Sequence, residues 1–173
     1  CRGLIADSFF SEIRNGGDGI DVDYDPIPVA GDGAPLLRVM RNVVWASVGD
    51  GIDLGTASPL LDGNLVFHCA DKGISVGEGS SPDMMNNFVW GCRLALAIKD
   101  GADPVLQNHT MVENDTGISS YQKTPGMGGG RGDISGLLLW TNVEPVRLDA
   151  WSLTSVHRSF VDDVDVWPGS DNT

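Results

Sequence analysis

Basic residues are scarce. Eleven Lys and Arg stand against 24 Asp and Glu in 173 residues, for a formal net charge of −13. So acidic a surface repels nucleic acid and anionic membrane, which argues against both as partners and favours cations or neutral ligands. Long apolar runs are missing, so no transmembrane helix fits and no membrane insertion is expected. No basic start leads into an apolar stretch, so no signal peptide is visible, and the chain reads as a mature protein or an excised piece. Cysteine occurs only three times, at Cys1, Cys69 and Cys92. No C-x-x-C spacing joins them, which argues against zinc. Helix-favouring runs are few, whereas glycine occurs 23 times. That balance points to an all-β chain with many turns.

What the sequence has is a period. Gly51, Gly73, Ala95 and Gly117 lie 22 residues apart, in "GDGIDLG", "DKGISVG", "RLALAIKDG" and "DTGISSY". Upstream of each recurs an apolar strand: "NVVWAS" from Asn42, "NLVFHC" from Asn64 and "NFVWGC" from Asn87. "NHTMVEN" from Asn108 and "GLLLWTN" from Gly136 continue it with drift, and "DSFFSEI" with "DGIDVD" opens it. Short strands at this period, with Gly- and Asn-marked turns, fit a β-solenoid in which each coil stacks on the last. The leucine-and-asparagine signature of leucine-rich repeats is absent. Two Gly- and Pro-rich insertions, 26–36 and 123–132, should leave the rod as loops.

These repeats resemble the right-handed parallel β-helix repeats of secreted or surface bacterial proteins, the architecture of the pectate-lyase-like superfamily. The resemblance implies one all-β domain over residues 1–173, a single right-handed parallel β-helix of about seven coils with a period of about 22 residues. It also implies a secreted or cell-surface location and, for the enzymes of this group, polysaccharide substrates. Fold alone does not choose among lyases, epimerases, hydrolases and non-catalytic adhesins.

Strand alternation assigns sides. Ile20/Val22, Ile52/Leu54 and Ile74/Val76 should point inward, leaving Asp21, Asp53 and Ser75 in an outward stack. Asp23 and Asp25 continue the outward row, and Asp18 and Asp50 sit at the preceding turn. Like charges this close repel, and Ca²⁺ would relieve them, so Asp21, Asp23, Asp25, Asp50 and Asp53 are candidate calcium ligands; a solvated acidic patch is the alternative. If Val44, Val66 and Val89 point in, then Trp45, Phe67 and Trp90 form an outward aromatic column, extended by Phe10 and Trp140. Such a strip is either covered by a missing domain, a loop or a second subunit, or is a platform for sugar rings. Asn42, Asn64 and Asn87 read as a structural stack whose amides bond the turn backbone. Cys69 and Cys92 fall at matching places in successive coils, as stacked thiols or as a disulfide.

Lyases of the resembled group use a Lys or Arg base with Ca²⁺ on the substrate acid. Lys72, one coil above Asp50, and Lys99, at the outward place of Gly77, are the candidate bases; salt-bridging surface lysines are the alternative. No full lyase motif is present. His68, His109 and His157 have no nucleophile at a motif spacing and read as structural or surface residues. "RGD" at 131–133 falls in a glycine loop, and the N-x-S/T matches at Asn108 and Asn114 arise easily by chance. Both ends open directly on repeat-like or loop-like sequence, so the expectation is a fragment of a longer solenoid or a partner over the first coil. Two functions are compatible with these features. One is recognition, with or without modification, of extracellular polysaccharide. The other is a non-catalytic surface module docked through its aromatic face.

Overall fold

The computed structural model describes residues 3–23, 37–162 and 169–173. Among these residues there is no helix, only short strands in three parallel sheets of 8, 7 and 6 strands. One coil shows the plan: Leu60–Asp62 enters the first sheet, Leu65–Phe67 the second and Lys72–Gly77 the third. Each strand pairs in parallel with its equivalents in the coils before and after. The chain is a parallel β-helix of about seven coils, as the 22-residue period predicts. Tyr24, Asp25 and the 26–36 insertion lie outside the described residues.

Four apolar columns fill the rod. Ile52, Ile74, Leu96 and Ile118 are in register, as are Leu54, Val76 and Ile98 beside them. Val44, Val66, Val89, Met111 and Leu139 line the second sheet, and Val39, Leu61, Met84, Leu106 and Ile134 the first. All of these are fully buried or nearly so. Burying each such side chain stabilises by about 1.5–3 kcal/mol. The recurring glycine has a packing cause. A Cβ on Gly51 would come within 2.4 Å of Val66 Cγ1, and one on Gly73 within 2.3 Å of Val89 Cγ1.

The corners repeat as faithfully as the strands. Between the first and second sheets, Asp7, Arg41, Gly63, Asn86, Asn108, Gly136 and Arg158 all have positive φ. After the second sheet the same conformation recurs at Glu12, Ala46, His68, Gly91, Glu113 and Thr141. The left-handed region costs a non-Gly residue about 1 kcal/mol or more, and here hydrogen-bonded ladders offset it. Asn64 Oδ1 accepts from the Asn42 amide (3.1 Å) and side chain (3.0 Å), while Asn64 Nδ2 donates to the Val39 carbonyl (2.9 Å). Asn87 does the same for Asn64. Asn42, Asn64 and Asn87 thus form a continuous hydrogen-bonded ladder up this corner.

A second ladder runs up the other corner. The Cys69 amide donates to Cys92 Sγ (3.3 Å), the Cys92 amide to Asn114 Oδ1 (2.9 Å), and the Asn114 amide to Asn142 Oδ1 (3.1 Å). Cys69 and Cys92 are buried free thiols and form no disulfide. Asn114 is buried as a rung of this ladder and is not an accessible acceptor for a glycan.

Several registers differ from expectation by one residue. Phe9 pairs with Val43, Phe10 with Val44 and Ser11 with Trp45, so Phe10 joins the inward column and Ser11 takes its expected place outside. The rung after Asn87 is His109 and not Asn108, because Phe88 pairs with Thr110. "RGD" lies at the start of the Arg131–Ser135 strand rather than in a loop. The loop before it is anchored by the buried Asp100, whose Oδ1 accepts from the amides of Lys123 and Thr124, both at 2.7 Å.

Candidate functional site

The outer face of the third sheet carries the charged candidates. Asp21, Asp53 and Ser75 stack in register, as alternation predicts. The carboxyl of Asp21 titrates above its ordinary range through burial and the neighbouring charges of Asp23, Asp53 and Asp18. Asp50 has a partner. Its Oδ1 accepts from the Lys72 amide (3.0 Å) and from Lys72 Nζ (2.9 Å). Burial raises the Asp50 pKa, and the Lys72 bonds pull against that rise. Among the described residues, no three Asp, Glu, His or Cys side chains converge to hold a metal ion. Asp25, the remaining candidate ligand, lies outside the described residues.

Both lysines are held in place. Lys72 Nζ bridges Asp50 (2.9 Å) and Asp71 (2.5 Å). Burial works to lower its pKa, but the bonds to Asp71 and Asp50 outweigh burial and raise it. An ammonium so held stays protonated at neutral pH and is a poor general base. Lys99 is only 3% exposed. Its side chain lies along Gly77, where an added Cβ would sit 2.9 Å from both Cε and Nζ. Nζ reaches Ser75 Oγ at 3.0 Å, Asp53 Oδ1 at 3.7 Å and Glu78 Oε1 at 4.0 Å. Asp53 Oδ1 is buried and has no hydrogen-bond partner, so Lys99 neutralises it across a gap. Lys99 is thereby closed off from a polymeric substrate.

The aromatic column is real and interrupted. Trp45, Phe67 and Trp90 are in register on the outside of the second sheet, and Val112 separates Trp90 from Trp140. The rings interlock. Phe67 is tilted 48° to Trp45 and 82° to Trp90, and His68 packs against both tryptophans at 5.0 and 4.7 Å. Trp90 Nε1 donates to Glu113 Oε2 (2.8 Å). Tilted rings offer edges and partial faces, not the continuous flat surface on which successive sugars stack.

A groove opens on the third sheet. It has a volume of about 560 Å³ and crosses the coils from Asp71 and Lys72 to Arg147, Leu148 and Asp149. Arg93, Asp115, Thr116, Ser119 and Tyr121 line it between. Tyr121 is partly buried, and burial raises its pKa against the opposing charge of Lys72. The cations of the groove face acids within it or at its edge: Arg93 meets Asp71 at 3.5 Å, and Arg147 is bonded to Glu144. Asp149 is held by the Gln122 amide (2.7 Å), the Trp151 amide (3.0 Å) and Ser152 Oγ (2.7 Å). Burial opposes them, but these bonds lower its pKa. One signal of this groove stands in the sequence. Positions 71, 93 and 115, 22 residues apart, are Asp, Arg and Asp, an alternation of charge up one edge.

Compared with family models, with curated proteins and with solved structures, the chain matches none.

Proposed function

We propose that this β-helix is an extracellular polysaccharide-binding module and that the groove on its third sheet is the binding site. The observation that carries the reading is the groove's shape and lining. It is open, crosses successive coils, and presents hydroxyls, carboxylates and guanidinium groups with one tyrosine ring. Such a surface mixes many hydrogen-bonding groups with apolar patches at Leu94, Leu148 and the Tyr121 ring, which suits the hydroxyls and apolar ring faces of a sugar chain. Its cations already have anionic neighbours, and a net charge of −13 repels a polyanion at long range. The reading is therefore for neutral polymers over polyuronates. It needs no calcium and no base, and it assigns binding without cleavage.

The test is calorimetric titration with a panel of neutral polysaccharides and polyuronates, with ultraviolet absorbance followed for new double bonds. The expected result is binding of a neutral polymer, no rise in absorbance, and about tenfold weaker binding in Arg93→Ala, which removes charge-assisted bonds worth about 1.5 kcal/mol. Arg93 is exposed, so the variant should fold. Binding that is indifferent to Arg93→Ala, or no binding to any polymer, would sink the reading.

A further inference from the structure

Three coils of the third sheet meet around one lysine. Asp53 stands in the second coil, Ser75 and Gly77 in the third, and Lys99 in the fourth. Lys99 lies down the rod over Gly77 and is 3% exposed. Its Nζ donates to Ser75 Oγ at 3.0 Å and stops 3.7 Å short of Asp53 Oδ1. That gap is outside hydrogen-bond range, and Asp53 Oδ1 is buried with no other partner. An ammonium and a carboxylate that settle as an ion pair close to about 2.7–2.9 Å. Here amine and carboxyl face each other, closed off from water, and remain unbonded. A third group completes the set, since Glu78 Oε1 lies 4.0 Å from the same Nζ. Glycines keep the lane clear. A Cβ on Gly77 would meet Lys99 Nζ at 2.9 Å, and one on Gly55 would lie 3.5 Å from Glu78 Oε2.

We propose that Lys99 Nζ and Asp53 Cγ condense to an amide bond, with Glu78 carrying the protons. Glu78 takes a proton from the ammonium and passes it to the Asp53 carboxylate. The neutral amine attacks Cγ, and the C–N bond forms. Glu78 takes the second proton from nitrogen and delivers it to the departing hydroxyl. The C–O bond breaks, one water leaves, and Glu78 is a carboxylate again. Nothing is oxidised or reduced. Free amines and carboxylates do not condense in water, but well-oriented groups in contact react as if at about 10⁵–10⁸ M. The product also replaces two charges in a half-buried place, where each is costly, by one neutral group. The amide joins the second coil to the fourth and clamps the third between them. It is a modification of the rod itself and does not depend on what the groove binds.

The experiment is intact mass measurement of the denatured full chain, followed by tryptic mapping. The wild-type chain should be lighter than its sequence by one water. Residues 42–72 and 94–123 should emerge as one branched peptide, because an acylated Lys99 resists trypsin. Lys99→Met and Asp53→Ala should each run at full mass. Glu78→Gln, at a partly exposed position, should slow closure about a hundredfold, so that freshly made protein is mostly unlinked. A wild-type chain at full sequence mass, with β-type circular dichroism, overturns the proposal. So does a water loss that maps to an Asp–Gly succinimide, or a branch from Lys99 to residues 73–93, which hold Glu78. A Glu78→Gln chain that closes as fast as wild type overturns the part given to Glu78.

Discussion

His109 is the least comfortable residue in the core. It occupies the ladder rung after Asn87, it is buried, and neither ring nitrogen has a hydrogen-bond partner. Burial lowers its pKa to about 4, against the opposing pull of the Met84 carbonyl. An unfolded chain protonates the same ring near 6.5, so it takes up the proton first as pH falls. The neutral ring's contribution is thus fully present above pH 6.5 and is lost between about 6.5 and 4, in total about 3 kcal/mol. His109→Asn should raise the melting temperature by restoring the rung, and should flatten its pH dependence across that window relative to wild type. Parallel melting curves at pH 7.5 and 4.5 check both. The sequence showed the histidine but not its place. "NHTMVEN" offers Asn108 to anyone counting asparagines, and a one-residue shift moves it from the ladder to the exposed corner. Lys99 was readable in position and unreadable in pose. Its level with Gly77 follows from the period, but its lying along that glycine follows from packing.

Among elements, the two corner ladders do the work that helices' own hydrogen bonds do elsewhere. The Asn64 side chain alone accepts two bonds and donates two, and all four are buried. Asn64→Ala leaves the Asn42 amide and the Val39 carbonyl unsatisfied and should cost about 2–4 kcal/mol. Chemical denaturation would show it as a lower midpoint with an unchanged slope. The asparagine ladder was legible because three of its rungs share a residue type. The opposite ladder was legible only at Cys69 and Cys92, because its rungs change residue type to Asn114 and Asn142 above them. Alternation placed Val44, Val66 and Val89 inward and Trp45, Phe67 and Trp90 outward. It failed at Phe10 because two adjacent phenylalanines leave the phase of a three-residue strand open.

At the scale of the whole molecule, each coil contacts its neighbours and little else. Stability should then be close to a sum over coils and interfaces. Lys72 is in register with Leu94, so deleting residues 72–93 removes one coil and leaves the frame intact. The shortened chain should keep its β-type circular dichroism and a single transition, with a melting temperature about 5–10 °C lower. A collapse to disordered spectra would show that the rod is less modular than its register. The period alone carried this level of description, since a 22-residue recurrence has few ways to bury its apolar face. The groove is less legible, because it exists only where charged edges of successive coils are superposed. Its border includes Tyr121 and Asp149, which lead into and hold the segment gathered by Asp100. That segment leaves the rod and rejoins it in register, held at its start by two buried or bonded carboxylates. Its tip, at Gly126 and Gly128, has open space around it, whereas Gly129 and Gly130 press on the backbone of Trp151 and Ile98 and admit no side chain. Evolution can rewrite that tip alone, at no cost to how the rest of the chain folds.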